Sequence, residues 1–459
     1  MPGMHTWDES TDLFAHSVIG YAIERLREPK DTRWGAMPAE QLAEALAGCV
    51  SPSGVGAHRA LAIFRDQLLP ACRPMDDPMN LAYVPTAPTN AAAVFDLVVS
   101  ASSIFGGVWE AGAGAIAAEN QALGWLADLA GYPATAGGTF VSGGSAANLS
   151  ALVTARSAYR ERTGSTGRLS IAVTCEAHAS VRATANVMDA GLVDVQIDER
   201  DRMTGAALRA ALAAADEAGV EVFAVAATGG TTNAGAVDEL DAIADVCEER
   251  GLWLHVDGAY GLAALCAPSA RATFAGIERS DSFGLDPHKW LFAPYDCAAL
   301  VYRQPELATR AHAQHGDYLE EVDRSEWNPS DYAYHLSRRA RGLPLWFSLA
   351  TYGTDAYADA MEATLTTARA FADEVGARPG LELLLEPDLS VVLFRRADLS
   401  ANDTKAWCET HARAGDYLIV PTRFRGEQCL RVCIVNPRTT MDSLRVILDD
   451  LESVPATDL

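Results

Sequence analysis

The chain is poor in positive charge: 36 lysines and arginines stand against 61 aspartates and glutamates, a formal net charge of -25 over 459 residues. Nucleic acid and anionic membrane are excluded as partners, because both would repel such a surface and no basic stripe interrupts it. Cysteines at metal or redox spacing are missing too. The nine cysteines contain no C-x-x-C pair, and an odd number suits free thiols in a reducing cytoplasm better than a disulfide framework. Ten histidines without an H-E-x-x-H spacing argue against a dedicated metal site. No apolar run is long enough for a membrane span; the longest, from about Ala91 to Trp109, is broken by Asp96 and small polar residues. Met1 to Glu9 carry no basic segment leading into an apolar core, so no secretory signal is read there.

What is present is a globular composition, 49% apolar and 21% charged, long enough for two or three compact units. Residues 1–89 show helical stripes, such as Leu13-Phe14 with Val18-Ile19 and Leu61 to Phe64 with Leu68-Leu69. They are too interrupted by proline and glycine to stand alone, and are expected to clasp the main domain or a second subunit. Residues 90–350 alternate short apolar runs with amphipathic helices, which predicts an α/β domain with a mostly parallel sheet. Candidate strands are Ile171 to Thr174, Val222 to Thr228, Leu252 to Asp257, Ser282 to Leu285 and Cys297 to Tyr302, with a helix over Asp238 to Arg250. The polar stretch from 304 to about 342 breaks the alternation and reads as a functional loop or lid. Residues 351–459, with strand-like Leu389 to Phe394 and Cys429 to Val435, predict a smaller α+β domain.

In open sheets of this kind ligands collect beyond the carboxyl ends of the strands, where the distinctive motifs fall. Ser142-Gly143-Gly144-Ser145 opens a helix, so its backbone N–H groups and hydroxyl suit a phosphate dianion, or simply a helix cap. Gly112-Ala113-Gly114 follows no strand and is discarded as a dinucleotide loop. His178 lies where a strand turns into a helix, placed to stack on a cofactor ring or to cap. Thr228 to Asn233 form a small, hydroxyl-rich turn. Asp257 ends the next strand, and Lys289 follows the one after, in Asp286-Pro287-His288-Lys289-Trp290. A lysine to form a Schiff base and a carboxylate to keep a pyridine nitrogen protonated are the pair that pyridoxal phosphate needs.

This ordered set closely resembles the group II pyridoxal-phosphate-dependent amino-acid decarboxylases, the family of the aromatic-L-amino-acid and glutamate decarboxylases. The likeness runs from Tyr83-Val84-Pro85-Thr86 to Leu430-Arg431. It implies the PLP-dependent transferase fold type I, aspartate-aminotransferase-like, working as a homodimer with active sites at the subunit interface. Lys289 would carry the cofactor, Asp257 would meet its ring nitrogen, and His178 would stack on the ring with Ala259 nearby on the opposite side. Gly143, Gly144, Ser145, Thr232 and His288 would serve the phosphate and its surroundings. Asp286 stands where the family more often has asparagine. The implied reaction is decarboxylation of an aromatic or related L-amino acid to the amine, through a Lys289 Schiff base and a quinonoid protonated by a loop tyrosine. Tyr332 is the candidate donor, with Tyr334 and Tyr318 as alternatives. Loss of that donor in the family accompanies oxidative conversion to an aldehyde. Tyr83, Val84, Pro85, Thr86, Gly107 and Trp109 match substrate-pocket positions; with Val84 and Gly107 where the aromatic enzymes are bulky, a roomier or reshaped pocket is expected. Arg431 is read as structural, with a contact to a carboxylate as the alternative.

Overall fold

The computed structural model describes residues 4–31, 33–314 and 325–455. Its centre is a seven-stranded sheet made of β1 (Gly137–Val141), β2 (Ser170–Thr174), β3 (Gly191–Val195), β4 (Val222–Thr228), β5 (Trp253–Asp257), β6 (Ser282–Leu285) and β7 (Ala298–Tyr302), in the order β1-β7-β6-β5-β4-β2-β3. Of its six neighbouring pairings, the four among β2, β3, β4, β5 and β6 are parallel, whereas β7 runs antiparallel to both β1 and β6. The sheet is therefore mostly parallel, as its apolar runs predict. All strands but β3 are buried along their whole length, because helices cover both faces.

Two strands of this sheet escape the sequence pattern. β1 begins with a glycine pair, and a Cβ on Gly138 would stand 1.8 Å from the Leu300 carbonyl oxygen, so close approach to β7 rather than β propensity selects the residue. β3 is an edge strand of mixed polarity, Gly-Leu-Val-Asp-Val, without a buried run to betray it. The helix expected from Asp238 starts at Leu240 instead. Asp238 is buried in the preceding turn, where its carboxylate accepts the Thr228 and Met203 backbone N–H groups at 2.7 and 2.6 Å.

A second sheet, in the order β10-β11-β9-β8, is formed by β8 (Leu381–Leu383), β9 (Val391–Arg396), β10 (Val420–Phe424) and β11 (Glu427–Cys433), all antiparallel. Helices Thr354–Ala377, Ala401–Ala414 and Met441–Ser453 pack on it through Phe371, Trp407 and Leu448. Leu81 joins this core, and Asn80 bridges to Leu418, so the end of the N-terminal segment is sewn to the C-terminal sheet. The first helix, Glu9–Arg27, is capped by the Asp8 carboxylate accepting from the Thr11 N–H at 2.8 Å. It buries none of its residues, leaving Leu13, Ile19 and Ile23 exposed. No helix among the described residues is long and apolar enough to cross a membrane.

Within the stretch expected to be a functional loop or lid, the described residues on either side include built structure. Pro305–His312 is helical, and Asn328 to Tyr332 are buried. Residues 315–324 lie outside the described residues.

Candidate active site

Strand register brings the motifs together. Thr228 pairs with Asp257 across β4 and β5, and Asp257 with Gly284 across β5 and β6, so the three following turns leave the sheet at one edge. Val141 and Leu285 flank the start of β7 through Ala298 and Ala299, which adds the turn at Ser142 to Ser145. Side chains at the end of one strand cannot avoid those at the end of its neighbour, about 5 Å away.

Asp286 closes the cluster. Its backbone N–H donates to the Ala259 carbonyl at 3.1 Å, and Lys289 N–H turns back onto the Asp286 carbonyl at 2.9 Å. The Lys289 ammonium then lies 3.0 Å from Asp286 Oδ2. Burial pushes the Lys289 pKa down, but the Asp286 carboxylate, helped by Asp257, outweighs it and leaves the pKa raised. His288 is held at Nδ1 against Cys297, 2.7 Å from its carbonyl oxygen, and its ring tilts against Tyr295 with centroids 4.7 Å apart. Burial pushes the His288 pKa down, partly offset by Asp286.

Asp257 is buried, with Oδ2 accepting from Asn148 Nδ2 at 2.8 Å and Oδ1 from the Ala259 N–H at 3.2 Å. His178 is the N-cap of helix Ala179–Val187: Nδ1 accepts the Ser180 N–H at 3.2 Å and lies 2.8 Å from Ser180 Oγ, while the ring stays exposed. The cap that the sequence allowed is thus real, and it leaves Nε2 and the ring face open. Gly143 and Gly144 begin the helix Gly144–Thr163. A Cβ on Gly144 would come within 3.1 Å of Ala259 Cβ and 3.3 Å of Asp286 Oδ2, so here bare backbone lines the cluster. Ser145 beside it is exposed.

Pyridoxal phosphate fits these residues on three counts. Backbone N–H groups at a helix start face the cluster for a phosphate, an ammonium is available for covalent attachment, and a fixed carboxylate is available for a ring nitrogen. Asp286 Oδ1, buried and without a hydrogen-bond partner among the described residues, marks a polar position that the protein itself leaves unanswered.

The pocket positions are less uniform. Arg431 ties one of them, Tyr83, to the hydroxyl-rich turn: its guanidinium donates to the Tyr83 carbonyl at 2.6 Å, to the Thr232 carbonyl at 2.7 and 3.0 Å, and to the Asn233 carbonyl at 3.2 Å. Tyr83 has φ of 57°, a conformation rare for a non-glycine residue, and that carbonyl contact holds it there. Val84 is buried in the main core, Pro85 is buried, and Thr86 Oγ1 donates to the Ala293 carbonyl beyond Lys289 at 3.3 Å. Gly107 and Trp109 instead meet the stretch after the undescribed residues: Ser330 N–H donates to the Gly107 carbonyl at 3.1 Å, and Trp109 N–H to Asn328 Oδ1 at 2.9 Å. Gly107 itself opens no room, because a Cβ there would meet the Leu336 carbonyl oxygen and the Phe105 ring. That volume is already taken.

Tyr332, the candidate donor, is packed against its neighbours. It is 8% exposed, its ring stacks on Trp327 at 4.2 Å, and its carbonyl accepts from Tyr302 OH at 3.1 Å. Burial pushes its pKa up to about 12, partly offset by a hydrogen bond with Thr309. Tyr334 is 53% exposed, and Tyr318 lies outside the described residues. Sequence reasoning missed Asn148, Ser180 and Glu119. Asn148 had one signal, a lone amide among alanines on the helix face turned to the sheet. A separate cavity of about 390 Å³ opens behind Phe292, lined by Lys30, Asp76 and Arg438, away from the Lys289 cluster.

The model of the pyridoxal-dependent decarboxylase conserved domain matches residues 59–397. An aromatic-L-amino-acid decarboxylase of Bacillus atrophaeus is 31% identical over 393 residues, covering 83% of this chain and 82% of that protein. Another, of Sus scrofa, is 30% identical over 412 residues, covering 85% and 84%. The solved structure of Oryza sativa TDC with PLP and tryptamine shares the fold, with a TM-score of 0.89 at 24% identity over 98% of both chains. A match of that extent, falling on a sheet edge that presents a lysine, a fixed carboxylate and a helix start to one point, makes the chain a member of the pyridoxal-dependent decarboxylase family, a carboxy-lyase that uses pyridoxal phosphate to decarboxylate an amino acid.

Proposed function

We propose that the substrate is an aromatic or related L-amino acid, decarboxylated to its amine, with Lys289 as the attachment point of the cofactor. The observation that carries the assignment of Lys289 is its 3.0 Å pairing with Asp286 beside Asp257 and the Gly143-Gly144 turn. When bound, pyridoxal phosphate supplies an electron sink that lets the bond from the α-carbon to the carboxylate break. In this reading Asp257 holds a proton at the ring nitrogen, and Asn148 keeps that carboxylate in place. His178 lays its open ring face on the cofactor, with Ala259 nearby on the other side. Gly143, Gly144, Ser145, Thr232 and His288 hold the phosphate and its surroundings. Tyr83, Val84, Pro85 and Thr86 line the substrate side, Tyr83 held by Arg431. A loop tyrosine returns a proton to the α-carbon: Tyr332 is the candidate, and its packing against Trp327 gives weight to the alternatives Tyr334 and Tyr318.

We assign the working form as a homodimer, residues 1–89 packing on the partner, residues 90–350 binding the cofactor and residues 351–459 closing the chain. The support is apolar surface without a partner: Leu13, Ile19 and Ile23 on the first helix, and Val94, Leu97 and Val98 on helix Asn90–Ala101. Gly107 and Trp109 then complete the partner's pocket across the interface. The nine free thiols support a cytoplasmic location.

The deciding experiment is a screen of amino acids for carbon dioxide release, with mass spectrometry of the product. Amine without ammonia or peroxide supports the reading; an aldehyde with both selects an oxidative aldehyde synthase, and a keto acid without carbon dioxide selects an aminotransferase. Borohydride treatment of the loaded enzyme should fix the cofactor on the peptide containing Lys289, and an adduct elsewhere sinks the assignment.

A further inference from the structure

Asn148 sits on the first turns of the helix Gly144–Thr163, fully buried, with every polar atom of its side chain in use. Nδ2 donates to Asp257 Oδ2 at 2.8 Å and to Ser180 Oγ at 2.9 Å. Oδ1 faces His255 Nε2 at 2.9 Å. Beyond it His255 Nδ1 faces Ser282 Oγ at 2.9 Å, and Ser282 Oγ accepts from Trp253 Nε1 at 2.9 Å. On the other arm Ser180 Oγ lies 2.8 Å from His178 Nδ1.

The direction of this chain follows from its ends. Asn148 Nδ2 donates to Asp257 Oδ2, which leaves Asn148 Oδ1 to accept from His255 Nε2; His255 Nδ1 then accepts the Ser282 hydroxyl proton, while Ser282 Oγ receives from the Trp253 indole N–H. Burial pushes the His255 pKa down to about 4, partly offset by Asp257, so the ring is neutral and carries its single proton on Nε2. That proton goes to Asn148 Oδ1, which turns both amide hydrogens toward Asp257 and Ser180. Ser180 Oγ receives there and donates to His178 Nδ1, the atom that also accepts the Ser180 backbone N–H. His178 then carries its proton on Nε2, facing away from the helix.

We propose that Asn148 is a positioning residue that serves both groups facing the cofactor: one amide fixes the Asp257 carboxylate and, through Ser180, sets the tautomer of His178. The inference rests on the reading that Asp257 meets the cofactor's ring nitrogen. A hydrogen bond to a buried carboxylate, once lost, costs about tenfold in an interaction that depends on that carboxylate.

The test compares pyridoxal phosphate with its 1-deaza analogue, which has carbon in place of the ring nitrogen, by titrating each into the cofactor-free full chain and reading dissociation constants from absorbance. The wild type should prefer pyridoxal phosphate, and Asn148→Leu should shrink that preference about tenfold while binding of the analogue stays within about twofold. Equal losses for both ligands mean Asn148 only shapes the fold, which overturns the proposal. No preference in the wild type overturns the reading of Asp257 instead. Asn148→Ser, whose short hydroxyl cannot reach both partners, repeats the comparison if the leucine variant does not fold. Histidine-selective ¹⁵N spectra of the cofactor-free wild type, with His178 assigned by its loss in His178→Gln, should show the Nε2–H tautomer; an Nδ1–H tautomer reverses the relay and sinks the second half of the proposal.

Discussion

The Nζ of Lys289 lies 3.0 Å from Oδ2 of Asp286, a carboxylate 2% exposed to solvent, where the family resemblance leads one to expect asparagine. A buried carboxylate favours the ammonium and withholds the free amine that attacks an aldehyde. Asp286→Asn removes that attraction, so the Lys289 pKa should fall. Measured as the pH dependence of the rate at which cofactor-free protein captures pyridoxal phosphate, the rising limb should move toward lower pH. An unmoved profile would show that the pair is not electrostatically coupled.

Three tyrosines can be told apart by product. Tyr334→Phe should cut amine formation at least about tenfold, as expected for loss of a proton donor, and raise the share of aldehyde. Tyr332→Phe should keep the product ratio and lower stability by about 1 kcal/mol, the worth of one buried hydroxyl bond. If Tyr318→Phe gives the aldehyde and Tyr334→Phe does not, the donor lies in residues 315–324.

Arg338 and Glu119 form a buried two-pronged ion pair at 2.7 and 2.9 Å, with Glu119 also accepting the Gly342 N–H at 2.8 Å and Arg338 donating to the Gly106 carbonyl at 2.6 Å. It pins the segment after the undescribed residues to the turn that carries Gly107. Arg338→Met should cost about 3–5 kcal/mol in urea unfolding, because Glu119 is left buried and unpaired. Glu119→Met with Arg338→Met should recover part of that loss. A double variant less stable than the single one would contradict this.

His255 gives stability a pH dependence of known sign. Its folded pKa is about 4 against an ordinary 6.5, so between those values the unfolded chain binds a proton that the folded chain refuses. Stability should therefore fall as pH drops from about 6.5 toward 4, by at most about 3 kcal/mol from this group. His335, also pushed down to about 4 by burial, adds a slope of the same sign. Urea midpoints across this range should decline less steeply in His255→Gln than in the wild type.

The sequence alone determined which residues stand at the strand ends. Runs such as Val222 to Thr228 are continuously apolar because both faces of the sheet are covered, and Asp257 and Lys289 are conspicuous where those runs stop. Length and order of such runs are local properties, so they survive in one dimension. The strands that lacked an apolar signature, β1 with its glycine pair and the edge strand β3, were visible only through their pairing.

Tertiary structure decided the rest, because hydrogen-bond partners far apart in sequence leave no local trace. It buried Tyr332 against Trp327, filled the space at Gly107 with Phe105, and placed Asn148 between Asp257 and Ser180. Each outcome depends on which side chains the packed sheet and helices bring within about 3 Å, a distance that no spacing along the chain encodes.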